Sequence, residues 1–351
     1  MKKTFIFIAF TAFILSLCSC STADDEGFTP NPEAGVQLST DAFGRFLTSV
    51  DSINAEYTAS IESETRGGND YLVQAGKSGA VTLADAAGRA AGGYVGKYLG
   101  TAAGSATGNP GFAILGYVGG RYLGRIIGGA GASFAARHII NRWASRYDAL
   151  KIGSFNNAAM DSTNRTVEFG YYIPTYQNDS LNEDSLGYYH NLLMAVMGQH
   201  PEKYKTDNGD INYSLVYQDC VSILREKGVI NETNDSIVMD SAFAQAIQDY
   251  AKQTAGHVSD FENNKISFDD IKSVMASDLK KLNVPNEQIT MFSDFATRVS
   301  DACQNMDYKE KVEYGNAIMN AIDKSSMPSE MKNDAASTAN QVINSSICWD
   351  K

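Results

Sequence analysis

The chain has 351 residues, 43% of them apolar and 10% aromatic, and a net charge of −12. This composition excludes a disordered chain, and the length allows two modest domains behind an N-terminal targeting segment. The acidic total gives no footprint for nucleic-acid binding, so nucleic acid is not among the expected partners.

Lys2 and Lys3 precede an apolar run over residues 5–17, which is too short to span a bilayer. Leu17-Cys18-Ser19-Cys20 follows. The run reads as a secretory signal peptide over residues 1–19, and its last four residues resemble a bacterial lipobox. That resemblance implies lipidation of Cys20, with Leu17 three residues before it and small Ser19 just before it. An uncleaved N-terminal anchor is the other reading. Residues 20–40 form an acidic tether, and Ala23, Asp24, Asp25 and Glu26 resemble the export signal of Bacteroidota-type surface lipoproteins. The resemblance implies an outer-membrane lipoprotein facing outward; a plain acidic tether would have the same composition. A triacylated cysteine gives stable anchoring where one chain would not.

Phe43, Phe46, Leu47, Val50, Ile53 and Tyr57 then fall at helical spacing, capped by Thr40 or Asp41. This predicts an amphipathic helix over 41–65. Residues 76–146 predict a helical hairpin. In its first arm Gly88, Gly92, Gly96, Gly100, Gly104 and Gly108 recur every fourth position, and in its second Gly116, Gly120, Gly124 and Gly128 do the same. Between them Asn109-Pro110-Gly111 marks the turn. Each helical glycine costs about 1 kcal/mol against alanine, so the phasing needs a compensating close approach of helix backbones. Beside the bare stripe runs a polar one, with Asp85, Arg89 and Lys97 in one arm and Arg121, Arg125 and Ser133 in the other. The remaining face is apolar. Residues 76–146 hold eight bases against Asp85 alone, a net +7 that leaves −19 for the rest of the chain. Such a segment is drawn to anionic lipid or to its own acidic half.

Folding the arms about Asn109-Pro110 sets residue 98 opposite about 121, which brings Lys97, Tyr98, Arg121 and Tyr122 to one level. Beyond it each arm is uncharged for roughly 16 Å, half of a bilayer's hydrocarbon core. Tyrosines and bases at one level predict a membrane-interface belt. The hairpin resembles glycine-zipper segments of contact-dependent bacteriocins and of glycine-zipper envelope lipoproteins. The first resemblance implies surface-held toxins that damage neighbouring membranes, and the second a structural or membrane-associated role in the envelope. Both imply a partner: the membrane, a second copy, or another glycine-zipper protein. A wholly soluble hairpin packed onto the C-terminal helices stays open beside them.

Residues 150–183 read as an irregular connector with a short strand over 166–172. Residues 184–351 read as an acidic all-α domain of six or seven helices, with a capping box at Ser267–Asp270. The run from Asp184 to Asn191 is similar to a stretch in uncharacterised Bacteroidota-type lipoproteins, and His190 within it reads as structural. The predicted fold class is therefore all-α, a glycine-zipper hairpin plus an acidic multi-helix C-terminal domain. Cys220, Cys303 and Cys348 remain after export, enough for one disulfide, with Cys303–Cys348 a candidate and buried free thiols the alternative. No spacing suggests a metal or a cofactor, and no nucleophile, zincin or phosphate-loop motif appears. The chain is expected to be non-enzymatic, with no catalytic residue.

Overall fold

The computed structural model describes residues 32–62, 69–105, 110–140, 166–167, 171–172, 186–304 and 306–349. Cys20, the acidic signal Ala23–Glu26, Gly108 and nearly all of the 150–183 connector lie outside them. The chain divides into two units, Met1–Asp41 and Ala42–Lys351. The described part of the first is helical.

Helix α1, Pro32–Glu62, begins earlier than the predicted cap. Pro32 opens it because a first-turn residue has no backbone N–H partner to lose. In the second unit its apolar stripe is covered as the spacing predicted, with Ala42, Phe43, Phe46 and Val50 buried. The hairpin follows as α2, Asn69–Ser105, and α3, Pro110–Ile140. The predicted strand is instead a minimal antiparallel pair, β1 Thr166–Val167 and β2 Tyr171–Tyr172, with Thr166 opposite Tyr172.

Nine α-helices and a 3-10 turn, Pro201–Tyr204, follow among the described residues: α4 Leu186–Gly198, α5 Tyr213–Glu226, α6 Glu232–Val238, α7 Ser241–Glu262, α8 Phe268–Lys281, α9 Asn286–Thr290, α10 Thr297–Cys303, α11 Tyr308–Lys324 and α12 Ser329–Cys348. A π-helical turn, Met291–Ala296, joins α9 to α10. Ser267 and Asp270 form the predicted capping box, and Asp307 with Glu310 forms another. Gly228 ends the α5 region at φ 73°. Gly256 lies inside α7, where its cost is absorbed by the long helix around it.

The all-α prediction holds. The hairpin, however, does not stand apart from an independent C-terminal domain. Leu83, Leu123, Ile126, Ile127 and Phe134 are fully buried and belong to one core with Phe243, Val258, Met275, Phe295 and Ile343. Helices α4, α7, α8 and α12 pack against the hairpin. An isolated two-helix hairpin has no interior, so its apolar face must be covered by other helices.

Candidate functional site

The two glycine stripes meet each other. Gly88 seats against Gly128, Gly92 against Gly124, Gly96 against Gly120, and Gly100 against Gly116. At each of these eight positions a Cβ would lie under 3.0 Å from the partner glycine's carbonyl oxygen. Backbone faces backbone, so no side chain is present that can swing aside. Gly104 continues the stripe as a half-buried residue.

This register corrects the sequence-based pairing. It is symmetric about residue 108, so residue 98 lies opposite 118 and not 121. The seating of each glycine on a carbonyl decides the register, and a turn motif alone cannot. Lys97 places its Nζ 4.8 Å from the centre of the Tyr117 ring. Tyr98 packs edge-on against Tyr94 and is 46% exposed. Tyr122 is half-buried against the core. Arg121 turns away to α12, where it pairs with Asp334 and approaches Glu330 at 4.0 Å. In this register the four residues spread over about one helical turn, with Arg121 directed to α12.

The polar stripe is covered as well. Asp334 on α12 accepts hydrogen bonds from both Arg121 and Arg125. Arg89 donates to the Asp334 carbonyl at 3.3 Å and to the Ser337 hydroxyl, which Arg125 also reaches at 3.3 Å. Burial pushes the Asp334 carboxyl up, but Arg125, Arg121 and Arg89 outweigh it and hold the group below the usual carboxylate range. Beside this cluster a cavity of about 10 Å³, room for one water, is lined by Arg89, Arg125, Gln288, Met291 and Phe292. Part of its wall is the π-helical turn.

One turn further along α12, Gln341 donates to Asp85 at 2.6 Å. Burial raises the Asp85 carboxyl despite His190, Gln341, Ser345 and Arg89 around it. His190 of α4 places Nε2 2.9 Å from the Ser133 hydroxyl and 3.5 Å from Asp85. Its Nδ1 faces the Asn191 side-chain oxygen at 2.8 Å. Ser133, His190 and Asp85 have the composition of a nucleophilic triad without its geometry. Hydroxyl and carboxylate share one ring nitrogen, whereas a triad places them on opposite ones. All three side chains are fully buried. The cluster fastens α3 to α4 and α12, in keeping with a structural His190.

The cationic hairpin is thus answered by acids of the C-terminal helices, with Lys77 also paired to Glu262 of α7 at 2.5 Å. The apolar face meets α7, whose Ile247 and Tyr250 sit with Ala91 and Val95 and also border the edge of the glycine stripe at Gly88, Gly92 and Gly128. No disulfide joins Cys220, Cys303 and Cys348, so the Cys303–Cys348 bond is not formed. Burial pushes the Cys220 thiol up, which makes it inert. Among the described residues no group of three or more His, Cys, Asp or Glu side chains is placed to hold a metal ion.

Sequence reasoning missed the other half of the polar seam. Asp334, Ser337, Gln341 and Ser345 repeat at helical spacing on α12, a pattern that reads as a solvent face. The signal that could have found them is the matching polar stripe on the hairpin.

These features define an all-α protein built around an internally zipped glycine hairpin. Among the described residues no helix is long and apolar enough to cross a membrane. No protein-family model matches the chain, no curated protein matches its sequence, and no solved structure matches its fold.

Proposed function

We propose that the chain is a non-enzymatic, surface-exposed lipoprotein of the bacterial outer membrane, anchored through Cys20, with the glycine hairpin serving as the packing spine of a helical interaction domain. The observation that carries this reading is the use of all three hairpin stripes within the chain. The bare stripe is spent on the opposite arm, the polar stripe on α12 and α4, and the apolar face on α7. In this state the glycines of residues 88–100 and 116–128 that face the opposite arm have no room for another backbone.

One observation favours a second reading. Lys77, Arg121 and Arg125 are each paired with an acid of the C-terminal helices, the arrangement a shielded, contact-dependent membrane toxin would need. A single experiment separates the two: dye release from anionic vesicles by protein lacking residues 1–20, with its oligomeric state followed by light scattering. A monomer that releases no dye while folded supports the interaction lipoprotein. Dye release by the folded protein overturns it in favour of the toxin.

A further inference from the structure

Four helices meet at one buried polar cluster. Asp85 of α2, Ser133 of α3, His190 of α4 and Gln341 and Ser345 of α12 are each fully buried. The Gln341 amide donates from Nε2 to Asp85 Oδ1 at 2.6 Å. Both groups press on bare Gly129, where a Cβ would lie under 3.0 Å from either. Three further atoms of the cluster, Asp85 Oδ2, Gln341 Oε1 and Ser345 Oγ, have no hydrogen-bond partner among the described residues. Ser345 stands beside the Asp85 carboxyl.

The shortfall is one hydrogen. A carboxylate and an amide oxygen can only accept. With Asp85 ionised, Oδ2 and Gln341 Oε1 compete for the single hydroxyl hydrogen of Ser345, so one acceptor stays bare however that hydroxyl turns. A bare buried acceptor carries its full desolvation penalty, and an unneutralised charge beside it costs more. A proton on Oδ2 removes both costs and needs no cavity. The acid then donates to Gln341 Oε1 while Gln341 Nε2 donates back, closing a ring of two hydrogen bonds.

His190 completes the same uncharged arrangement. Asn191 donates its amide to the Asn344 carbonyl at 3.0 Å, which turns its side-chain oxygen toward His190 Nδ1 at 2.8 Å. Nδ1 therefore carries hydrogen. Nε2 lies 2.9 Å from the Ser133 hydroxyl and 3.5 Å from Asp85, so it accepts from Ser133 as a neutral ring. Arg89, on α2 itself, also faces Asp85 but hydrogen-bonds to the Asp334 carbonyl and to Ser337. We propose that Asp85 is a buried proton-binding site, a carboxylic acid in the folded chain at neutral pH that donates from Oδ2 to Gln341 Oε1 with a neutral His190 beside it. Burial, which pushes this carboxyl up, acts in the same direction. The junction of the four helices is thereby pH-sensitive: alkali places at its centre a charge that His190 and Arg89 must answer.

Infrared spectra of protein lacking residues 1–20 at pH 7 test it, since solvent-exposed carboxyls are ionised there. The expected result is a protonated-carboxyl C=O band that shifts in D2O, fades in alkaline solution and is missing from Asp85→Asn. In Gln341→Ala the band should move to higher frequency, as the acid loses its acceptor. Nitrogen NMR should show His190 neutral, with hydrogen on Nδ1. No such band, or a doubly protonated His190 ring, overturns the proposal in favour of a His190–Asp85 ion pair. A band that persists in Asp85→Asn, or that Gln341→Ala leaves unmoved, overturns the donor or the acceptor assigned. Asp85→Asn keeps one donor and one acceptor facing Gln341, so its failure to fold would overturn the proposal as well. The wild-type and Asp85→Asn spectra decide the proton site even if Gln341→Ala does not fold.

Discussion

At the scale of single residues, the same substitution has opposite consequences at different glycines. Gly96→Ala would drive a methyl into the Gly120 carbonyl. The helix-propensity gain of about 1 kcal/mol is outweighed by overpacking against rigid backbone, for a net loss of roughly 1–3 kcal/mol. Gly44 and Gly256 also lie in helix interiors but have nothing within 4 Å of an added Cβ. Gly256→Ala should gain roughly 0.5–1 kcal/mol. Urea denaturation of the pair checks both signs. The two buried acids of the polar seam also act oppositely. Asp85 has a raised carboxyl, so the fold holds a proton that the unfolded chain has lost above about pH 4. Stability falls as pH rises through that raised value. Asp85→Asn should therefore be more stable than the wild type near neutral pH, the margin shrinking toward pH 4. A melting-temperature series across pH measures it. Asp334 is depressed, so its contribution is present above about pH 4 and is lost only as pH falls through the lowered value.

At the scale of elements, periodicity carried most of the information. The stripes of α1, α5, α7 and α8 were legible because apolar residues at helical spacing have one physical solution, a buried face. The Ser267–Asp270 capping box was legible for the same local reason, and the structure adds an equivalent one that was not read. Asp307 accepts from the Glu310 N–H at 2.8 Å while Glu310 returns to the Asp307 N–H at 2.7 Å. Asp307→Ala should cost about 1 kcal/mol, read as a shift in the urea midpoint with an unchanged slope. The π-helical turn at Met291–Ala296 was not legible. An extra residue per turn is set by what Met291, Phe292 and Phe295 fill in the core, and local sequence has no preference for it. The role of helix α12 was not legible, since Ser337, Asn340, Gln341 and Asn344 satisfy a solvent face and a hydrogen-bonded seam equally well.

At the scale of the whole molecule, the charge division predicted attraction between the hairpin and the acidic remainder, and the Lys77–Glu262 and Arg–Asp334 pairs are that attraction made local. Because the hairpin contributes to the common core, it is not a detachable module. Removing residues 76–146 should abolish cooperative unfolding by circular dichroism, whereas excision of a peripheral hairpin would leave a sharp transition. The isolated hairpin, stripped of α4, α7 and α12, should associate or precipitate because its apolar face is uncovered.

The sequence by itself determined the helices, the two bare stripes and the need for backbone to meet something close, because glycine at every fourth position is costly unless contact returns the loss. It also carried the N-terminal residues that resemble a lipobox and an export signal, on which the proposed location rests. Only the tertiary structure decided what each stripe meets. A bare stripe fits an opposite arm, a second copy or a neighbouring protein, and a polar stripe fits water or another polar helix. Local spacing is identical in all these cases. The choice lies in long-range packing, where Gly96 finds Gly120 and Arg125 finds Asp334.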